Sequence, residues 1–200
     1  MELEFKPVVA GDIDRLRPFY GLRPNKTCDS VFLDSFLWKD YYHVQCAVSE
    51  GRAVLWLMEK DGQVSTAMPL CREEDLPYFF QQMVDYFSGV LHKPFYISLA
   101  DEEAVQCLNL DPALFEVEEQ VDLKDYLYSG EELRKLEGKK FVKKRNHLNG
   151  FKRTYEGRYE YRRLCCSDRH EVWQFMERWR QHKEEVGAME LSLDYEVAGI

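Results

Sequence analysis

Residues 134–163 read RKLEGKKFVKKRNHLNGFKRTYEGRYEYRR. Twelve Lys/Arg stand against three Glu in this stretch, a local charge of +9 in a chain whose formal net charge is −9. The division runs along the whole chain. Residues 1–125 carry 11 Lys/Arg and 23 Asp/Glu, whereas residues 126–200 carry 16 and 13. Cations this crowded repel one another and are relieved when phosphates or carboxylates sit opposite them. A charge run is equally the mark of a solvated helix face, so spacing alone leaves both readings open.

The stretch is framed by helix signals. Ser129 with Glu132 three residues later is a capping box that opens a helix. Leu133, Leu136, Phe141, Leu148, Phe151 and Tyr155 give it a narrow apolar face, and the rest is Lys and Arg. Gly138 and Gly150 are expected to break it, because glycine inside a helix costs about 1 kcal/mol relative to alanine. Beyond it, Gly157 marks a turn, Tyr159–Cys165 reads as a strand, and Ser167 or Asp168 caps a final helix. That helix carries Val172, Phe175, Met176, Trp179 and Val186 on one stripe. The tail SLDYEVAGI reads as a capped helix just beginning, so the second half is expected to be an interrupted domain.

Toward the N-terminus the pattern changes. Glu4–Val9 reads as an opening strand, Asp12 caps a helix that should stop near Pro18, and Ser30–Trp38 has near-helical spacing. Three strands come next, Tyr41–Val48, Ala53–Glu59 and Gln63–Pro69. Their turns contain Glu50-Gly51 and Asp61-Gly62, and Asp-Gly between apolar runs is a strong hairpin signal. Leu76, Phe79, Phe80, Met83, Val84, Phe87 and Leu91 recur at helical intervals and predict a core-facing helix. Phe95–Leu99 then reads as a strand, Asp101–Leu108 as a short helix and Phe115–Leu127 as an extended stretch. Antiparallel strands succeeded by this alternation predict an α/β fold of α+β character with a mixed sheet.

Composition excludes several classes. At 45% apolar and 14% aromatic the chain can bury a core, which general disorder cannot. The longest apolar run, Ala53–Met58, is far short of the ~20 residues that cross a bilayer. The opening MELEFKPVVAGD has acids where a secretion signal has a basic start, so a cytoplasmic protein without a transmembrane segment is expected. Six cysteines occur without a CxxC pair, so no metal site is expected. Cys165 and Cys166 should point to opposite faces of their strand. His170 and His182 share a helix but lie about 120° apart around its axis, so they cannot chelate together.

The segments DLKDYLYSGEELRKLEGKK and KKRNHLNGFKRTYEGRYEYRRL resemble the bacterial family related to the C-terminal domain of phosphatidylglycerol lysyltransferase. FLDSFLWKDYYHVQCAV is similar to that family's first half, and the Lys-Lys-Arg helix also resembles the Fem-type peptidoglycan aminoacyltransferases. The resemblance covers most of the chain and is most specific from Gly138 to Tyr155. It implies a tandem of acetyltransferase-like (GNAT) domains, with a first copy in residues 1–125 and an incomplete second copy in residues 126–200. It further implies an acyl- or aminoacyltransferase-like protein whose donor would be aminoacyl-tRNA or acyl-CoA. Lys143, Lys144 and Arg145 match the basic positions of the family's pattern, and with Lys152 and Arg153 they are the candidates for a phosphate-bearing ligand, tRNA or an anionic lipid headgroup.

Other features leave alternatives open. Asn146 and His147 come next in the pattern, and a backbone cap and a packed imidazole explain them equally well. No Arg/Gln-x-x-Gly-x-Gly/Ala turn for a coenzyme pyrophosphate occurs, and Gly187-Ala188 reads better as a helix end. No spacing nominates a catalytic residue. Glu171, Glu177, Glu184 and Glu185 read as helix partners of Arg178, Arg180 and Lys183. The acidic run Glu116–Glu119 reads as a solvated edge. A competing reading is a non-catalytic module that binds RNA or an anionic surface through residues 134–163. Phe141, Phe151 and Tyr155 could stack on bases in that case, although their spacing fits core packing.

Overall fold

The computed structural model describes residues 3–23, 27 and 30–187. The chain divides into two units: residues up to Glu119 together with those from Met176 onward, and Gln120–Phe175.

The first unit is organised by a four-stranded antiparallel sheet in the order β1 (Lys6–Pro7), β2 (Gln45–Ser49), β3 (Ala53–Lys60), β4 (Gln63–Ser65). Both hairpins turn as their sequences require. Glu50 and Gly51 have φ of 53° and 65°, and Asp61 and Gly62 have 52° and 81°. Two successive left-handed residues form a primed turn, whose twist matches that of the strands it joins. The register is set accordingly, with Ser49 opposite Ala53 and Lys60 opposite Gln63.

The apolar run Ala53–Met58 becomes a strand buried on both faces. Its odd residues, Ala53, Leu55 and Leu57, face a cluster built around Phe79, Phe80 and Met83. Its even residues, Val54, Trp56 and Met58, face a second cluster around Leu16, Phe32 and Val44. The period of two therefore sorts one apolar run into two cores. α3 (Leu76–Tyr86) supplies the first, continued by a π-helix at Phe87–Leu91. α1 (Ile13–Tyr20) and α2 (Phe32–Leu37) supply the second. Burying each such side chain contributes roughly 1.5–3 kcal/mol. Phe95 and Phe115 close over the α3 side, with rings 5.2 and 5.5 Å from that of Phe80.

A parallel bridge between Thr66 and Ile97 makes the β-pairing mixed, since the chain passes through α3 after β4 and returns to set Ile97 beside Thr66. α4 (Glu102–Leu108) is capped by Asp101, which accepts from Ala104 N at 2.9 Å. The same carboxylate accepts from both terminal nitrogens of Arg23, at 2.8 and 3.0 Å, and both side chains are buried. No spacing in the sequence signals this pair.

In the second unit the helices are α5 (Gly130–Lys135), α6 (Val142–Thr154) and the first part of α7 (Arg169–Glu185). The mixed α/β character agrees with the sequence reading, and several local expectations need correction. The first helix runs through Pro18 to Tyr20 instead of stopping at it. Tyr41–His43 forms turns, so β2 starts at Gln45. Phe95–Leu99 contributes one bridge, not a strand. Tyr159–Cys165 is not a strand among the described residues, because alternation makes a strand only where a neighbour completes its hydrogen bonds. Gly138 does break the basic helix. Gly150 does not, and α6 passes through it. The interrupted helix expected at SLDYEVAGI lies outside the described residues.

Candidate functional site

α5 opens as its capping box predicts, with Ser129 Oγ accepting from Glu132 N at 3.4 Å. It closes on Leu136 in the left-handed region, φ 51°, with Gly138 at φ 81° two residues later. Glycine takes that conformation freely and leucine does not, so something must hold Leu136 there. Arg145 does so, donating through one guanidinium nitrogen to the carbonyl of Leu136 and, at 2.9 Å, to that of Gly138. The helix-end carbonyl of Leu136 is satisfied in this way, and that of Gly138, which also accepts from Phe141 N, gains a charged donor. Arg145 thus has a structural task in addition to its place in the basic pattern.

The other four candidates differ from it. Lys143, Lys144, Lys152 and Arg153 are all exposed on α6, and among the described residues none enters an ion pair or a side-chain hydrogen bond. Their neighbours on either side of the α5–α6 turn are compensated, with Lys135 on Glu131 and Lys140 on Glu132, each at 2.8 Å. At 100° per residue Lys144 falls within the narrow apolar stripe and Lys152 at its edge, while Lys143 and Arg153 lie on the remaining sides of the helix. The four surround the helix and do not form one stripe. Asn146 and His147 are exposed beside them, so His147 is not a packed core imidazole.

The C-terminal end of α6 carries an open concavity. Lys152, Arg153, Glu156, Gly157 and Tyr159 line an open depression of about 540 Å³. Gly157 makes the turn with φ 68°. Tyr159 packs against Phe151 with ring centroids 5.2 Å apart, and Phe151 lies 4.8 Å from Tyr155. Arg158 sits over Tyr155 at 5.4 Å. Phe151, Tyr155 and Tyr159 are each close to half exposed, so these rings are a surface cluster and not the core their spacing suggests. Phe141 alone of the aromatics named for stacking is buried. Two free cations, one carboxylate and three exposed rings can hold a ligand with both a phosphate and a planar group.

A second polar cluster precedes α7. Arg162 donates to both oxygens of Asp168, at 2.6 and 2.7 Å, and Cys165 N donates to Oδ2 at 2.8 Å. The Arg162 guanidinium and the Cys165 amide hold the Asp168 carboxyl well below the usual carboxylate range. The expected strand with opposed thiols is instead a short 3-10 turn at Cys166–Asp168, and both Cys165 and Cys166 are exposed. Asp168 stands directly before α7, where the sequence places a cap, but its carboxylate closes this turn by accepting from Cys165 N. On α7, Arg180 pairs with Glu184 at 2.8 Å and Glu177 at 3.7 Å, the helical pairing its spacing implies. Among the described residues no helix is long and apolar enough to cross a membrane.

Comparison with known proteins places this arrangement. No curated protein matches the chain. A solved structure of a conserved protein of unknown function from Bacteroides thetaiotaomicron VPI-5482 matches with a TM-score of 0.82 at 22% identity. The match covers 98% of this chain and 65% of that one, so the chain spans just under two thirds of its structural relative. At this identity the likeness shows the fold. Residues 21–196, which contain both units' main elements and the whole basic segment, match the family described as phosphatidylglycerol lysyltransferase, C-terminal, and the chain belongs to that family.

Proposed function

We propose that this protein is an acyl- or aminoacyltransferase-like protein whose α6 cations hold the phosphates of a donor or acceptor. The carrying observation is that Lys143, Lys144, Lys152 and Arg153 stand uncompensated in a chain of net charge −9. Acidic partners are abundant in this sequence, yet these four cations are left for something else. Each phosphate they neutralised would release condensed counterions, the main source of affinity for such ligands. Family membership supplies the chemistry. Transfer from aminoacyl-tRNA, or from acyl-CoA, to an amine or lipid is the reading it supports.

The fold part of the proposal is a GNAT-like tandem, with the first copy in residues 1–125 and the second opening at residue 126. The sheet layered between helices and the parallel Thr66–Ile97 bridge after α3 support the first copy. Lys152 and Arg153 stand beside exposed rings, and this favours single-stranded RNA over a bare lipid headgroup as their ligand. The same observation fits a non-catalytic RNA-binding module, which is the second reading.

The test is transfer of radiolabelled lysine from lysyl-tRNA to phosphatidylglycerol vesicles by the intact chain and by Lys143→Glu/Lys144→Glu. The proposal expects label on the lipid, and a loss of about tenfold or more in the variant, or about 1.4 kcal/mol or more. Equal transfer by both would remove α6 from the mechanism. Retention of tRNA without transfer by the intact chain would establish the binding-module reading.

A further inference from the structure

Tyr126 and Tyr128 stand just before the N-cap of α5. They are 87 and 59% exposed, so neither ring is held by a core. The chain there is free of helix and turn, and Lys124 and Ser129 on either side have extended backbone. Side chains two residues apart on an extended chain share a face, about 6.6 Å from each other. The two ring centroids are accordingly 6.4 Å apart, with planes within 22° of parallel.

That spacing sets this pair apart from the rings at the end of α6. Phe151 lies 4.8 Å from Tyr155 and 5.2 Å from Tyr159, and rings so close meet each other with nothing between them. Stacked planar rings are about 3.4 Å apart, so a ring with a neighbour on each face needs about 6.8 Å. The Tyr126–Tyr128 gap falls about 0.4 Å short of this, which a small rotation of exposed side chains supplies. The pair is also fixed to the helices that carry the free cations. Tyr128 adjoins Ser129, whose hydroxyl caps α5. α5 is joined to the start of α6 by Glu132 with Lys140, at 2.8 Å, and by Arg145 on Leu136 and Gly138. A ligand that offers a flat ring alongside phosphates answers both features, and a nucleotide is such a ligand.

We propose that Tyr126 and Tyr128 form a clamp that takes one nucleobase between their rings. Each face of the base then stacks on a tyrosine, which selects for a planar ring and against a bare phosphate or a lipid headgroup. The proposal rests on the α6 phosphate reading only for the choice of a base as the planar ring.

Titration of the intact chain with adenosine, followed by NMR at the aromatic ring protons, tests it, because this nucleoside carries a base without phosphate. The ring protons of Tyr126 and Tyr128 are expected to move upfield and saturate, with a Kd on the order of 1 mM. Ribose is expected to move neither. Two variants are read at the adenine protons, and positions this exposed tolerate substitution. Tyr126→Leu/Tyr128→Leu keeps apolar side chains without the π faces and should weaken adenosine binding about tenfold or more. Tyr126→Phe/Tyr128→Phe keeps the faces and should bind as the intact chain does. The absence of a saturable shift at Tyr126 and Tyr128 would overturn the proposal. So would equal affinity in the leucine variant, or shifts confined to Phe151, Tyr155 and Tyr159, which would give the base to α6 instead. Lys143→Glu/Lys144→Glu removes phosphate contacts and should leave adenosine binding unmoved, so the two proposals fail separately.

Discussion

The unit built on β2 and β3 and the Gln120–Phe175 unit use the same side-chain types in opposite ways. In the first, apolar residues from one strand are divided between two cores, and several cations have acids opposite them, as with Arg15 on Asp12, Arg52 on Asp75 and Arg23 on Asp101. In the second, the rings of Phe151, Tyr155 and Tyr159 stand at the surface and four cations of α6 have no partner among the described residues. Packing and pairing therefore stabilise the first unit, whereas the second holds its free groups available for contact. Function belongs with what folding has left unsatisfied.

Substitution experiments can break this contrast. Phe79 is fully buried, so Phe79→Ala should cost about 3–5 kcal/mol in urea unfolding. Tyr155→Ala, at a half-exposed position, should cost less than about 1 kcal/mol. Equal costs would mean that the second unit has a core of its own. Asp101→Ala leaves Arg23 charged and buried and also removes the α4 cap, for a loss of about 3–5 kcal/mol.

Within the basic segment the contrast sharpens. Arg145→Ala should cost about 1–3 kcal/mol and speed amide exchange around Leu136–Gly138, because two carbonyls lose a charged donor. Lys144→Ala should change stability by under about 0.5 kcal/mol and act on ligand binding alone. A destabilising Lys144→Ala would show that this cation, too, is structural.

One group in each unit should set a different limb of the pH profile. Asp168 is held below the usual carboxylate range, so its contribution is present above about pH 4 and is lost as the pH falls below that. Tyr20 is pushed up to about 12, chiefly by burial, with Ser35 3.0 Å from its hydroxyl. Its unfolded form ionises first, so the stability of the first unit should fall as the pH rises from about 10 toward 12. Circular dichroism across both limbs, in the intact chain, Asp168→Asn and Tyr20→Phe, would assign each slope. The smallest effect is chemical. Cys165 and Cys166 should react with iodoacetamide ahead of Cys46 and Cys71, which are buried, and burial pushes the Cys71 thiol up to about 11.

Local signals were legible wherever a few neighbouring residues decide the outcome. The two Gly-containing turns, the Ser129 cap, the α3 stripe and the Gly138 break all obey rules spanning at most a few residues. Tyr159–Cys165 misled because a strand needs a neighbour to complete its hydrogen bonds, and among the described residues none pairs with it. The same cause misplaced Phe151 and Tyr155, whose helical spacing suits a core that the second unit does not form. Within the candidate site, the cluster of charge was visible from composition alone. That Arg145 is tied to backbone while Lys143, Lys144, Lys152 and Arg153 are free depends on the left-handed Leu136, which no residue pattern announces. Arg23 with Asp101 was likewise out of reach, since 78 residues separate them.

The salt dependence of tRNA binding tests the central claim most directly. Affinity for unfractionated tRNA would be measured between about 50 and 200 mM salt for the intact chain and for Lys143→Gln/Lys144→Gln/Lys152→Gln/Arg153→Gln. The account predicts steep weakening with salt in the intact chain and a slope shallower by about 0.7 for each cation that meets a phosphate, up to about 3 in all. An unchanged slope and affinity in the variant would contradict it, and would leave the free cations of α6 as a solvated helix surface.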